Sequence, residues 1–201
     1  MQGNIEAMID GVFIPSKERL ENLKLDIERL SRLVYDVEKI VSNDNKNQVI
    51  KYKYDVVNEV NNILKTFEKE IISKKIVVNF TNKNKCLIFA NKNKMNQVII
   101  NLISNAIKYT DENGKIGIDI IKNKDCTQIS INDNGIGIKE KDITYIFEYL
   151  YRADKSRSRN TGGSGIGLYV VKNIVEAHRG IITVESKVNK GSKFTIKIPN
   201  K

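Results

Sequence analysis

No run of apolar residues in this 201-residue chain is long enough to span a bilayer, and no signal-peptide pattern opens it. The sequence as it stands is therefore expected to be soluble and cytoplasmic. Cysteine is scarce. Cys86 and Cys126 fall in separate strand-like runs without Cys-x-x-Cys spacing, which favours reduced, buried thiols over a disulfide. Arginine clusters and a wholly basic helix face are also missing, although the net charge is +10. The lysines mingle with asparagine and isoleucine, as in Lys83-Asn84-Lys85 and Asn91-Lys92-Asn93-Lys94. A nucleic-acid partner is thus not expected, and biased composition accounts for most of the charge. A basic surface would still draw in a smaller polyanion. The 40% hydrophobic content is enough to build a core, and 29% charged residues is ordinary for a soluble domain.

Several motifs are absent from the glycine-rich stretches. There is no Gly-x4-Gly-Lys-Ser/Thr, which excludes a Walker-type loop. Gly165-Ile166-Gly167 is followed by Val170 where a dinucleotide fingerprint needs its third glycine. His178-Arg179-Gly180 is not a protein-kinase catalytic loop, and no Asp-Phe-Gly occurs. What is present is a pair of glycine clusters, Asp133-Asn134-Gly135-Ile136-Gly137-Ile138 and Gly162-Gly163-Ser164-Gly165-Ile166-Gly167-Leu168. The first follows an alternating, strand-like run. The second feeds an apolar-periodic helix, and a glycine-rich turn entering a helix offers free N–H groups to phosphate. Alone, the clusters fit two tight turns equally well.

Upstream, Leu20, Leu23, Ile27, Leu30, Val34, Val37 and Val41 recur with spacings of three and four, a heptad seam on a helix begun by Ser16. Such a seam needs cover, either from a second copy through residues 16–42 or from the body of this chain. The asparagine-rich stretch 43–48 reads as a linker between a helical segment, 1–42, and a domain over 49–201. In that domain, a strand over Val49–Tyr54 precedes a helix capped by Asp55 that runs to about Ile71. Short strands at Ile76–Phe80 and Cys86–Ala90 lead to a helix from Lys94 to Tyr109. Hairpin strands Lys115–Ile121 and Thr127–Asn132 come next, then a short helix over Lys139–Phe147. A helix from about Gly165 to Ala177 and a last hairpin, Ile181–Ser186 with Lys193–Ile198, complete the pattern. Interleaved strands and helices of this kind predict an α+β fold, a two-layer α/β sandwich with helices on one face of a mixed sheet.

Four stretches together resemble the sensor histidine kinases of two-component systems. Asn101-Leu102-Ile103-Ser104-Asn105-Ala106-Ile107-Lys108-Tyr109 is similar to their N box and Asp133–Ile138 to their G1 box. Ile146-Phe147-Glu148 with Tyr151-Arg152-Ala153-Asp154 resembles the F box, and Gly163–Leu168 the G2 box. The order and spacing match over roughly residues 49–198, and the residues before them resemble the latter part of the family's dimerisation domain. The resemblance implies the Bergerat-type ATP-binding fold of the GHKL superfamily, with ATP and Mg²⁺ as cofactors. It assigns the side-chain oxygen of Asn105 to Mg²⁺, Asn101 to phosphate or metal, Lys108 to phosphate charge, and Tyr109 to the adenine or ribose. Asp133 would accept from the adenine amino group, with Gly135 and Gly137 leaving space for the base. Arg152 would face the terminal phosphates. Gly163, Gly165, Gly167 and Leu168 would fold over the triphosphate at the end of a mobile lid, 152–164. By the same resemblance the γ-phosphoryl group passes to a histidine and then to an aspartate of a response-regulator receiver domain. His178 resembles the family's structural turn histidine. The acceptor box is missing, so an acceptor-bearing dimerisation domain in trans is expected. A serine kinase of the anti-sigma-factor type, or a non-catalytic ATP-binding dimerising module, stands as the alternative.

Overall fold

The computed structural model describes residues 50–82, 84–153 and 165–200. All belong to the second of the two units into which the chain divides, residues 46–201. The expected heptad helix over 16–42, the linker at 43–48, Gly163 and the lid from Asp154 to Ser164 lie outside the described residues.

Strand β1, Tyr52–Asp55, leads directly into helix α1, Val56–Thr66. Asp55 caps that helix as its position suggests. Its Oδ1 accepts from Val57 N–H at 3.2 Å and from Cys86 N–H at 3.0 Å, pinning the helix start to the chain at Cys86. The helix does not continue to Ile71. Phe67 leaves helical geometry (φ −100°, ψ 8°) and donates its N–H to Leu64 O at 3.1 Å, while the Thr66 hydroxyl binds Ile63 O at 2.7 Å. A threonine bonding back to its own helix loosens the next turn. The remainder forms a separate helix α2, Glu68–Ser73, with no buried residue.

After β2, Val77–Phe80, and β3, Leu87–Ala90, comes the 18-residue helix α3, Lys92–Tyr109. It starts two residues before the expected Lys94 because Asn91 caps it, accepting from Lys94 N–H at 3.0 Å. The chain then runs through β4 (Lys115–Lys122), β5 (Cys126–Asp133), a four-residue helix α4 (Glu140–Ile143), α5 (Gly167–Ala177), β6 (Ile181–Lys187) and β7 (Gly191–Pro199). Of the helix expected over Lys139–Phe147, only Glu140–Ile143 is helical, and residues 144–147 form turns.

Five strands form the main sheet in the order β2-β4-β5-β7-β6, while β1 and β3 pair only with each other. Only β2 and β4 are parallel. Parallel neighbours need a long crossover, here the chain through β3 and α3. The antiparallel register stacks Ile118 beside Ile131 beside Phe194, and Ile120 beside Ile129 beside Ile196. These side chains are buried on one face, together with Met95, Val98, Ile99, Leu102 and Ile103 of α3 and Val170, Val171, Ile174 and Val175 of α5. Large apolar side chains gain ~1.5–3 kcal/mol each on burial, so the buried stripe of α3 alone contributes on the order of 10 kcal/mol. That stripe fixes the rotation of α3, which turns Asn101, Asn105 and Lys108 toward its half-buried flank. The expected sandwich is observed, with the correction that β1 and β3 stand apart from the main sheet.

Candidate functional site

The end of β5, the end of α3 and the turn between β6 and β7 meet at Asp133. Its Oδ1 accepts from Gly135 N–H at 2.9 Å and from Ser192 N–H at 3.3 Å. Burial pushes its carboxyl above the ordinary range, and the two backbone donors only partly offset this. Asn134 ties the loop back to the start of β4, accepting from Lys115 N–H at 2.7 Å. Gly135 is buried against α3: a Cβ there would lie 2.1 Å from Tyr109 O, and Ile136 N–H donates to that same oxygen at 3.2 Å. Gly137 meets the β6–β7 turn, since its Cβ would lie 2.1 Å from Lys187 O. The first glycine cluster is therefore a loop threaded between the end of α3 and the hairpin, with room for no side chain at either glycine.

On the flank of α3, the side chains of Asn101 and Asn105 make no hydrogen bond among the described residues, leaving amide oxygens available as hard ligands. Asn101 stands at the start of α5, where a Cβ on Gly167 would come 3.4 Å from its Oδ1. Ile166 at the N-cap of α5 makes no side-chain cap bond, and the first N–H groups of a helix, that of Leu168 among them, have no partner within the helix itself. At the other end of α3, Lys108 Nζ lies 5.0 Å from the centre of the Tyr109 ring. Burial raises the Tyr109 hydroxyl, and the nearby Arg152 guanidinium pulls it the other way. The fold thus gathers Asn101 with Gly167, Lys108 with Tyr109 and Arg152, and Asp133 with Gly135. Gly163 lies outside the described residues. Gly165, at φ 78°, packs its α-carbon against the backbone of Leu150 and Tyr151, so the described residues on either side of the segment expected as a lid meet.

His178 is 3% exposed, and both its ring nitrogens are engaged. Nδ1–H donates to Ile174 O at 2.8 Å, and Nε2 accepts from Asn91 N–H at 3.0 Å. Burial holds its pKa below the usual histidine value. A neutral ring that joins the end of α5 to the cap of α3 matches the turn histidine the sequence suggested.

Three contributors were not singled out from the sequence. Lys74 Nζ donates to Ile107 O at 2.8 Å, Lys108 O at 3.1 Å and Thr110 O at 2.9 Å, closing the C-terminal end of α3. Ser186 and Ser192 join their hydroxyls at 2.9 Å beside Asp133. The Gly191-Ser192 turn was visible as a hairpin signal, but only the fold brings it to Asp133. No sequence signal marks Lys74.

Residues 90–201 match the family model of histidine kinase-, DNA gyrase B-, and HSP90-like ATPases. The chain is 34% identical over 182 residues to the sensor histidine kinase WalK of Bacillus subtilis, covering 88% of this chain and 29% of WalK. Its structure resembles the Acinetobacter baumannii histidine kinase AdeS with a TM-score of 0.76 and 29% identity, over 100% of this chain and 93% of the other. It shares its fold with histidine kinase ThkA, solved in complex with the response regulator protein TrrA (TM-score 0.79, 24% identity, 100% of this chain and 56% of ThkA). The chain spans less than half the length of the curated relatives it matches. No helix among the described residues is long and apolar enough to cross a membrane. On this evidence the chain belongs to the histidine kinase-, DNA gyrase B- and HSP90-like ATPase family, and corresponds to the ATP-binding catalytic portion of the sensor histidine kinases.

Proposed function

We propose that this chain binds ATP with Mg²⁺ and directs the γ-phosphoryl group to a histidine on an acceptor-bearing dimerisation segment. From there the group passes to a receiver-domain aspartate of a response regulator. The observation that carries the reading is a half-buried, hydrogen-bonded Asp133 on a loop that packs against Tyr109 of α3, with Asn101 of the same helix beside Gly167 at the start of α5 and the amides of Asn101 and Asn105 meeting no partner among the described residues. Asp133 would hold the base by accepting from its amino group, with Gly135 and Gly137 keeping side chains out of that space. Asn105, and Asn101 beside it, fit Mg²⁺ because that ion takes hard oxygen ligands and shares them between protein and phosphates. The ion would supply charge neutralisation on the phosphate oxygens. Lys108 and Arg152 would add positive charge at the same end, and Arg152 can offer a planar fork of donors to the terminal phosphate. Gly163, Gly165, Gly167 and Leu168 would let backbone N–H groups approach the phosphates. Phosphoryl transfer rests mainly on such positioning and charge stabilisation. Residues 16–42 would pair with a second copy.

Calorimetry on the intact chain tests the reading: ADP and a non-hydrolysable ATP analogue should bind in a Mg²⁺-dependent way. Asp133→Asn should abolish measurable affinity, and Asn105→Asp should weaken the Mg²⁺-dependent part. Labelled ATP offered with an acceptor-bearing dimerisation domain should label that domain. A folded chain that binds no adenine nucleotide would defeat the proposal.

A further inference from the structure

The polarity of one hydroxyl beside Asp133 is fixed by its neighbours. Ser186 Oγ has one hydrogen and two lone pairs to use. Its hydrogen goes to Gly191 O at 2.9 Å, because a carbonyl can only accept. One lone pair is taken by Ile138 N–H at 2.8 Å, because an amide can only donate. The contact with Ser192 Oγ at 2.9 Å must then be made by the Ser192 hydrogen. Ser192 is 8% exposed, and with its hydrogen committed its oxygen can only accept. Its backbone N–H and that of Gly135 both donate to Asp133 Oδ1. Asp133 Oδ2 makes no protein hydrogen bond among the described residues, so it too is an acceptor. The cluster at the end of β5 therefore offers acceptors from Asp133 and Ser192, while Ser186 is saturated.

From this count we infer that Ser186 is a specificity-determining residue: by holding the Ser192 hydroxyl as an acceptor, it makes the base site select a 6-amino purine and reject a 6-oxo one. The inference rests on the ATP-binding reading and extends it to the choice of base. A 6-amino group brings N–H donors to both acceptors. A 6-oxo group brings an oxygen against them, and a buried polar group left facing a like partner is costly. Ser186 acts through Ser192, and its hydroxyl is saturated by three protein partners before any ligand arrives.

Calorimetry on the intact chain with ADP and with inosine diphosphate, which differs at position 6, tests this. The unaltered chain should favour ADP by at least ~100-fold. Ser186→Ala frees the Ser192 hydrogen to turn toward a 6-oxo group, so the preference should narrow by ~10-fold or more, with inosine diphosphate gaining affinity. Ser186→Thr keeps the hydroxyl and should keep the preference. Ser192→Ala removes the acceptor and should weaken ADP without any gain for inosine diphosphate. Should Ser186→Ala fail to fold, the Ser192→Ala result decides: undiminished ADP affinity there overturns the inference. So does a folded Ser186→Ala with the unaltered ratio. Equal binding of both nucleotides by the unaltered chain overturns this inference and leaves the ATP reading standing, whereas binding of neither sinks the ATP reading itself.

Discussion

Lys74 lies far in sequence from the candidate nucleotide-binding residues, yet its removal should be felt at both the stability and the nucleotide affinity of the domain. Its ammonium donates to Ile107 O, Lys108 O and Thr110 O at 2.8, 3.1 and 2.9 Å. These are carbonyls at the negative end of α3, which a cation both bonds and neutralises. Thr110 is 1% exposed, so its carbonyl has little access to replacement water. A hydrogen bond to a charged group contributes ~1.5–3 kcal/mol, and three that share one ammonium do not simply add. Lys74→Met, which keeps the stem and removes the charge, should therefore cost ~2–4 kcal/mol. In a domain of this size each kcal/mol moves Tm by ~2–4 °C, so thermal unfolding followed by circular dichroism should shift down by ~4–16 °C. Lys74→Arg should recover only part of this, because a planar fork cannot aim at three converging carbonyls as an ammonium can. Lys108 and Tyr109 ride on the turn that Lys74 closes. At a temperature where the variant is still folded, ADP affinity should fall as well. A Lys74→Met chain that melts within ~1 °C of the parent and binds ADP unchanged would refute the idea that this lysine closes the helix.

Gly135→Ala places a methyl carbon 2.1 Å from Tyr109 O, which is backbone and cannot step aside. The loop must shift, the Ile136 N–H to Tyr109 O bond must lengthen, and Tm should fall by several degrees together with nucleotide affinity. His178 is held neutral by burial, with its folded pKa below the ordinary 6.5. Its contribution is therefore complete above about pH 6.5 and is lost as pH falls through the folded value, since the unfolded chain takes up the proton first. Tm should drop between pH 7.5 and 5.5, and His178→Gln should lower Tm at pH 7.5 while flattening that slope.

Much of this fold was legible because it is local. The spacing of Met95, Val98, Ile99, Leu102 and Ile103 gives a helix with one buried face, and the structure buries that face. Alternation in Ile129, Ser130 and Ile131 gives a strand, as observed, but not its one-sided burial: Ser130 is buried as well, its hydroxyl meeting that of Thr195 at 3.2 Å. Asp133 and the amide pair Asn101 and Asn105 were legible as a candidate site through motif order rather than through any single residue. What escaped the sequence depends on distant partners. Nothing in Tyr52–Asp55 states that its only neighbour will be Leu87–Ala90 and that both will stand apart from the main sheet. The break at Phe67 follows from a threonine hydroxyl turning to Ile63 O, a choice apolar periodicity does not register. Ser186 and Ser192 read as ordinary hairpin residues until the chain returns to Asp133, 59 residues from Ser192.

The meeting of Gly165 with the backbone of Leu150 and Tyr151 has a consequence for how this domain tolerates change. The two anchors of the intervening segment are fixed side by side by contacts that lie outside it, so the core does not depend on that segment's length. Closing a flexible loop between fixed ends costs only ~0.6 kcal/mol more for each doubling of length. Insertions, deletions or wholesale exchange between those anchors should leave the sheet and α3 folded. Domains built on this frame are then free to diverge between those anchors without renegotiating the stability of the rest.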